Sequence, residues 1–237
     1  MTDERFTAVP DGWEVAGPGR LARGVDIALS VLDHAGVVDD VAAYYQRESN
    51  YAGATYLDLG PSDPYAITSG DLLAVTLLSV KLEPQAVRLL LETTATNRAL
   101  RHLLTEDVLP LDADLAMAAE DTLLAMLSLH EATKLALSPS RVKNGNRWVT
   151  ASKVCARKRP DLFPVRDSKV CALLELSGAR HNYEVDWQVY RGIIQNEEVR
   201  RRIDAVVDEA GTREGVNIGH PNRRLRHLDV ALWMHAR

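Results

Sequence analysis

Val149-Thr150-Ala151-Ser152-Lys153-Val154-Cys155-Ala156-Arg157-Lys158-Arg159-Pro160-Asp161-Leu162-Phe163-Pro164-Val165-Arg166-Asp167-Ser168-Lys169-Val170 is the stretch on which the reading of this chain turns. It predicts a helix, a short loop between prolines, and the start of a second helix. Pro160 ends the first helix, because proline lacks an N–H and its ring disfavours α geometry in the residue before it. Pro164 marks the far side of the loop. Asp167 stands where an N-cap belongs, directly before the apolar positions Val170, Cys171, Leu173 and Leu174. Lys153, Arg157, Lys158 and Arg159 give the first helix a basic rim.

Just upstream lies Ser138-Pro139-Ser140-Arg141-Val142-Lys143-Asn144-Gly145-Asn146-Arg147, a polar, basic turn that contains glycine. A turn of this kind exposes unpaired backbone N–H groups at the start of the next helix. Together with the helix dipole they make a site for an anion. Lys143, Asn144, Asn146 and Arg147 add donors around it, and Gly145 is the glycine of the turn. Such a turn can grip a nucleic-acid phosphate without reading sequence. The plain alternative is a solvated loop.

Outward from there the periodicity is helical throughout. Helices are expected over Leu21–Asp33, Val38–Arg47, Leu72–Val80, residues 85–104, Asp114–Lys134, Asp167–Ser177, Asp186–Ile194, Glu197–Ala210 and Leu225–His235. Thr68-Ser69-Gly70-Asp71 offers capping residues before Leu72, and Pro84 opens the following helix. The Leu72–Val80 run is apolar nearly all round, which predicts a buried central helix. His130 falls on an apolar flank and reads as a satisfied structural histidine. No run alternates as a strand does. The class is all-α, with residues 1–20 as an N-terminal arm and 21–237 as one helical domain. That domain divides on charge into an acidic lobe, 21–138, and a basic lobe, 139–237, which holds the hairpin and Asp167. Residues 1–138 carry 9 Lys and Arg against 21 Asp and Glu, and residues 139–237 carry 19 against 12.

The totals bound the function. A chain of 237 residues, 46% hydrophobic and 26% charged, can bury a full core. The net charge of −5 hides the basic half, which is the footprint expected for phosphate contact. The two cysteines, Cys155 and Cys171, have no partner at metal-ligand spacing and read as small core residues in a reducing compartment. No metal and no cofactor is expected. The charged N-terminus has no apolar signal core, and no apolar run spans a bilayer, so a cytoplasmic protein without a membrane partner is expected. Four of the seven tyrosines fall between Tyr44 and Tyr56. They predict either a packed loop or an aromatic shelf on which a base stacks. Tyr51, Tyr56 and Trp187 are the candidates for a pocket wall.

The order of turn, Thr150-Ala151 on a helix, then Pro164-Val165-Arg166-Asp167-Ser168-Lys169-Val170 resembles the helix-hairpin-helix DNA glycosylase superfamily over about residues 141–170. The resemblance implies a two-lobed helical bundle, DNA as partner, and an aspartate that caps its helix at the mouth of a base pocket. That aspartate would be Asp167. The hairpin here is Gly145-Asn146-Arg147, one glycine short, and the position of the nucleophilic lysine of bifunctional members is Val149. The implied activity is therefore hydrolysis of an N-glycosidic bond without a lyase step. Lys153, one turn further on, is the amine nearest to a substitute, although the residue pattern favours an ion pair or phosphate contact for it. The hairpin residues Lys143–Arg147, with Arg157, Lys158 and Arg159, are the implied DNA contacts. Two other classes remain open: a catalytically silent DNA-binding or protein-interaction module, and a small-molecule enzyme using an interlobe cleft. Over nearly its full length the chain also resembles a bacterial domain family of unknown function. That likeness rests on Tyr51-Ala52-Gly53-Ala54-Thr55-Tyr56, Asp71–Val75, Ser152-Lys153, Lys158-Arg159-Pro160, Pro164–Asp167 and Leu228-Asp229 with Leu232-Trp233-Met234. It carries no activity.

Overall fold

The computed structural model describes residues 3–138, 147–176 and 183–237. Its helices are α1 (Pro18–Leu32), α2 (Val37–Tyr45), α3 (Thr55–Asp58), α4 (Ser69–Thr76), α5 (Pro84–Leu91), α6 (Ala95–Leu103), α7 (Glu120–Leu137), α8 (Trp148–Lys158), α9 (Ser168–Leu173), α10 (Tyr183–Gln195), α11 (Glu197–Gly211) and α12 (Arg224–Ala236). Among the described residues there is no strand, only two isolated bridges, Gln46 with Val216 and Asp63 with Ala66. The protein is all-α.

The chain forms two compact units. One is Met1–Asp11 with Thr55–Phe163, and the other is Gly12–Ala54 with Pro164–Arg237. The division does not follow charge. It falls at 163/164 rather than at 138/139, and Gly12–Ala54 joins the C-terminal residues. The anticipated arm is divided as well, because Asp11 and Gly12 belong to different units.

In the first unit α7 packs on α8 and α6, α5 on α6 and α7, and α4 on α8. α7 buries Leu123, Met126, Leu129, His130, Thr133, Ala136 and Leu137, the three-and-four spacing of one helical face. His130 Nε2 meets Ser152 Oγ at 3.3 Å in the core, the structural role its flank predicts. The helix expected from Asp114 begins only at Glu120. Asp114 instead caps a 3-10 turn, Leu115–Met117, by accepting from the Ala116 amide at 2.6 Å. The Leu115 amide donates to Asp161 O at 2.9 Å, which commits this segment to the loop after α8. The Leu72–Val80 run is also shorter than its periodicity predicts. α4 stops at Thr76 and Ser79 takes φ 60°. Leu73 is 57% exposed, so this run is not buried all round.

In the second unit α1 packs on α10, α11 and α12, α2 on α11 and α12, and α9 on α12. Gly24 lets α1 close on α10, for a Cβ there would lie 2.7 Å from Val189 Cγ1. Ile193, Val199, Ile203, Val206, Leu228 and Leu232 fill the space these helices enclose.

Candidate functional site

The C-terminal turn of α8 carries Arg157, Lys158 and Arg159, expected on the surface as a basic rim. All three are buried in the first unit. Arg157 Nε donates to Asp71 Oδ1 at 3.0 Å, and its two terminal nitrogens donate to the Tyr56 and Leu59 carbonyls. Lys158 Nζ donates to Asp71 Oδ2 at 2.8 Å and to Asp63 O at 2.6 Å. Burial pulls the Lys158 ammonium's pKa down, and Asp71 beside it works the other way. Arg159 spends its donors on the carbonyls of Leu109, Pro64, Lys158 and Leu104 at 2.6–2.9 Å. These cations stitch the 56–64 segment and the turn after α6 to the end of α8, where the helix dipole also favours positive charge. They are not available to phosphate.

Asp71 is the centre of that arrangement and is fully buried. It closes a capping box at the start of α4. The Asp71 amide donates to Thr68 Oγ1 at 3.2 Å, and the Thr68 amide to Asp71 Oδ2 at 2.8 Å. Gly70 is required beside it, since a Cβ there would sit 2.2 Å from the Pro61 carbonyl oxygen. The sequence marks Asp71 as a cap. Its role as the anion for two buried cations is not visible there.

Lys153 is 5% exposed and its Nζ donates to Leu78 O at 2.8 Å. The Tyr56 ring is fully buried, its hydroxyl donating to Lys153 O at 2.5 Å. Tyr56 is therefore core in the first unit. Tyr51 belongs to the second, stacked on Tyr44 at 5.7 Å between centroids, with the Arg237 guanidinium 5.1 Å from its ring. The tyrosine-rich segment is divided between the two units. Trp187 is 1% exposed, between Trp13 and Tyr183, and is core as well. Of the expected hairpin contacts, Lys143, Asn144, Gly145 and Asn146 lie outside the described residues. Arg147 is described, half-buried, with a terminal nitrogen 3.5 Å from Glu83 Oε1.

The chain passes from the first unit to the second within the loop between α8 and Asp167. Asp167 caps α9 as the sequence predicts: its Oδ1 accepts from the Lys169 amide at 3.0 Å, and the residue is half-buried. Behind it lies a buried polar cluster whose assembly sequence reasoning missed, although Arg166, Cys171 and Asp229 were each noted there. The Val165 amide donates to Asp229 Oδ2 at 2.7 Å. Arg166 Nε donates to Asp186 Oδ2 at 2.6 Å, and Nη2 joins the same oxygen. Cys171 and Tyr190 border the cluster. Burial pushes Asp186 up to about 6 even against Arg166, and pushes Asp229 up to about 7 against the Val165 amide, Arg226 and Tyr190. The Cys171 thiol rises to about 12, also through burial, which makes it inert. Asp186 Oδ1 is buried without a hydrogen-bond partner among the described residues, and the buried Tyr190 hydroxyl faces Asp229. The clue in the sequence was two acidic residues at apolar-phase positions of otherwise core-facing helices.

A further pair sits nearby on α2 and α12. Tyr45 OH lies 2.9 Å from His227 Nδ1, and His227 Nε2 lies 2.9 Å from His220 O. A carbonyl only accepts, so Nε2 carries the proton and Nδ1 accepts from the tyrosine. Burial lowers His227 to about 4, in keeping with a neutral ring.

A family model matches residues 37–236, from the start of α2 to the end of α12. The chain belongs to the family of unknown function DUF6308. No curated protein and no solved structure matches this DUF6308 chain. Among its described residues no helix is long and apolar enough to cross a membrane, and no group of three or more His, Cys, Asp or Glu is placed to hold a metal ion.

Proposed function

We propose that this DUF6308 protein acts on DNA as a monofunctional N-glycosylase of helix-hairpin-helix type, with Asp167 as its catalytic carboxylate. The observation that carries the reading is the cap. One carboxylate oxygen is held by the Lys169 amide, while the residue stays half-buried rather than sealed in the core. A carboxylate so fixed stabilises positive charge on the sugar as the C1′–N bond of an extruded nucleotide breaks. Water then adds to C1′, and its proton leaves with the base. Val149 at the lysine position, and a Lys153 ammonium already bonded to Leu78 O, favour hydrolysis over Schiff-base chemistry.

A second reading, a catalytically silent interaction module, is favoured by an open apolar groove of about 560 Å³ in the first unit, lined by Leu72, Leu73, Val80, Leu82, Val87 and Leu91. One experiment separates the two. Duplex affinity measured against salt should fall steeply, and Lys143→Ala with Arg147→Ala should flatten the slope by about one for each phosphate no longer neutralised. In the same preparation Asp167→Asn should slow base release about a hundredfold. Absence of DNA binding at low salt removes the glycosylase reading. Binding without base release from any mismatched or damaged duplex leaves the silent module.

A further inference from the structure

The two residues directly before Asp167 are each held by a buried carboxylate from a different helix. Val165 is held through its amide by Asp229 of α12, and Arg166 through its guanidinium by Asp186 of α10. None of the four is more than 7% exposed. Taking a carboxylate out of water is costly, and leaving one of its oxygens without a donor adds to that cost. A backbone carbonyl or an amide side chain would tie a loop without that cost. Yet Asp186 keeps one buried oxygen without a hydrogen-bond donor among the described residues, and the one side-chain hydroxyl that faces Asp229 is that of Tyr190. Buried polar groups left unsatisfied next to a candidate catalytic residue mark a place where stability yields to arrangement.

We propose that Asp229 and Asp186 are positioning residues, a two-carboxylate clamp that sets the backbone of residues 165–166 and thereby the place of the Asp167 carboxylate. The inference rests on the reading of Asp167 as the catalytic group. Asp229 also gives the clamp a pH dependence. Burial lifts it to about 7, and the groups acting on it are Arg226 on its own helix, Tyr190 on α10, Cys171 on α9, Tyr45 on α2 and Asp167 itself. α1 and α11, which also pack on α12, contribute none of these. While Asp229 is neutral, Asp167 has no like charge behind it. As Asp229 ionises, negative charge builds there, so the rate should follow its titration.

The test has two arms on the full chain. The first is amide hydrogen exchange. Asp229→Ala should speed exchange at Val165 at least tenfold while amides of α4 keep their protection. Asp229→Asn retains an acceptor and should keep Val165 protected. The second is base release. Asp229→Ala and Asp186→Asn should lower kcat about tenfold or more with DNA affinity unchanged. Wild type should show an inflection near pH 7 that Asp229→Asn abolishes. Unchanged Val165 exchange in Asp229→Ala overturns the clamp, as does an inflection that survives in Asp229→Asn. If Asp229→Ala does not fold, Asp186→Asn and Asp229→Asn carry both arms, with the Lys169 amide of the cap as the exchange reporter for Asp186→Asn. A wild type that releases no base overturns the reading of Asp167 instead, and the exchange arm still decides the clamp.

Discussion

The two units each bury a set of ionic side chains, and they complete them differently. In the first, Asp71 faces both Arg157 and Lys158, and further donors of Arg157, Lys158 and Arg159 go to backbone carbonyls of the 56–64 segment and of Leu104, Leu109 and Lys158. In the second, Asp186 accepts through one oxygen and keeps the other, buried, without a donor among the described residues, and Asp229 accepts from the Val165 amide with no cation hydrogen-bonded to it among them. A saturated polar core holds a chain together. An unsaturated one keeps a stability cost that the fold itself does not need. The difference separates a structural network from one placed behind the helix cap at Asp167.

The largest effect should come from breaking the saturated network. Asp71→Ala leaves two cations buried and unpaired, which should cost about 3–5 kcal/mol in denaturant unfolding. Arg157→Ala and Arg159→Ala should likewise lower stability through orphaned carbonyls, and neither should change the salt slope of DNA binding. A change in that slope without a loss of stability would mean that these side chains reach solvent and the comparison fails.

The unsaturated network should show itself through pH. The folded-state pKa of Asp229, about 7, and of Asp186, about 6, lie above the ordinary value of 3.8. The folded state therefore binds more protons than the unfolded state between about pH 4 and pH 7. Stability should be greatest near the acid side of that window and fall as pH rises through it. His227, lowered to about 4, acts in the opposite sense between about pH 4 and 6.5, because there the unfolded state holds the extra proton. The difference between wild type and Asp229→Asn isolates the carboxyl. Wild type should lose stability relative to the variant across pH 4–7, by a few kcal/mol in all at about 1.4 kcal/mol per pKa unit. A flat difference removes the ionisable role of Asp229.

The smallest effect concerns the cap. Asp167→Ala should cost about 1 kcal/mol, and Asp167→Asn well under that, since the amide oxygen still accepts from Lys169. A large loss in Asp167→Asn would put Asp167 within the structural network and remove the ground for separating cap from catalyst.

What was legible in the sequence were features whose physics is local. Pro160 ends α8, Pro84 opens α5, the Thr68 and Asp71 pair closes its capping box, and Asp167 caps α9. All-helical character and the family likeness were legible for the same reason, since periodicity and motif order lie in the chain itself. What was not legible depends on partners far along the chain. Arg159 reads as a surface cation because such runs are usually solvated. Apart from the adjacent Lys158 carbonyl, its acceptors, Pro64, Leu104 and Leu109, lie 50 to 95 residues away. Asp186 opens a helix noted for Trp187 and Tyr190, and its meaning appears only when α10 and α12 meet the loop before Asp167. The boundary at 163/164 was missed because charge composition says nothing of which segments share a core.

The most direct measurement is a site-resolved carbon NMR titration of the aspartate side chains in the intact protein, with Asp186→Asn and Asp229→Asn to assign the signals. Asp229 is expected to titrate near pH 7 and Asp186 near pH 6, both above the ordinary value of 3.8. Titration of both below about pH 4, in the range of ordinary solvated carboxylates, would contradict that expectation and make the cluster behind Asp167 a second closed network like that of Asp71.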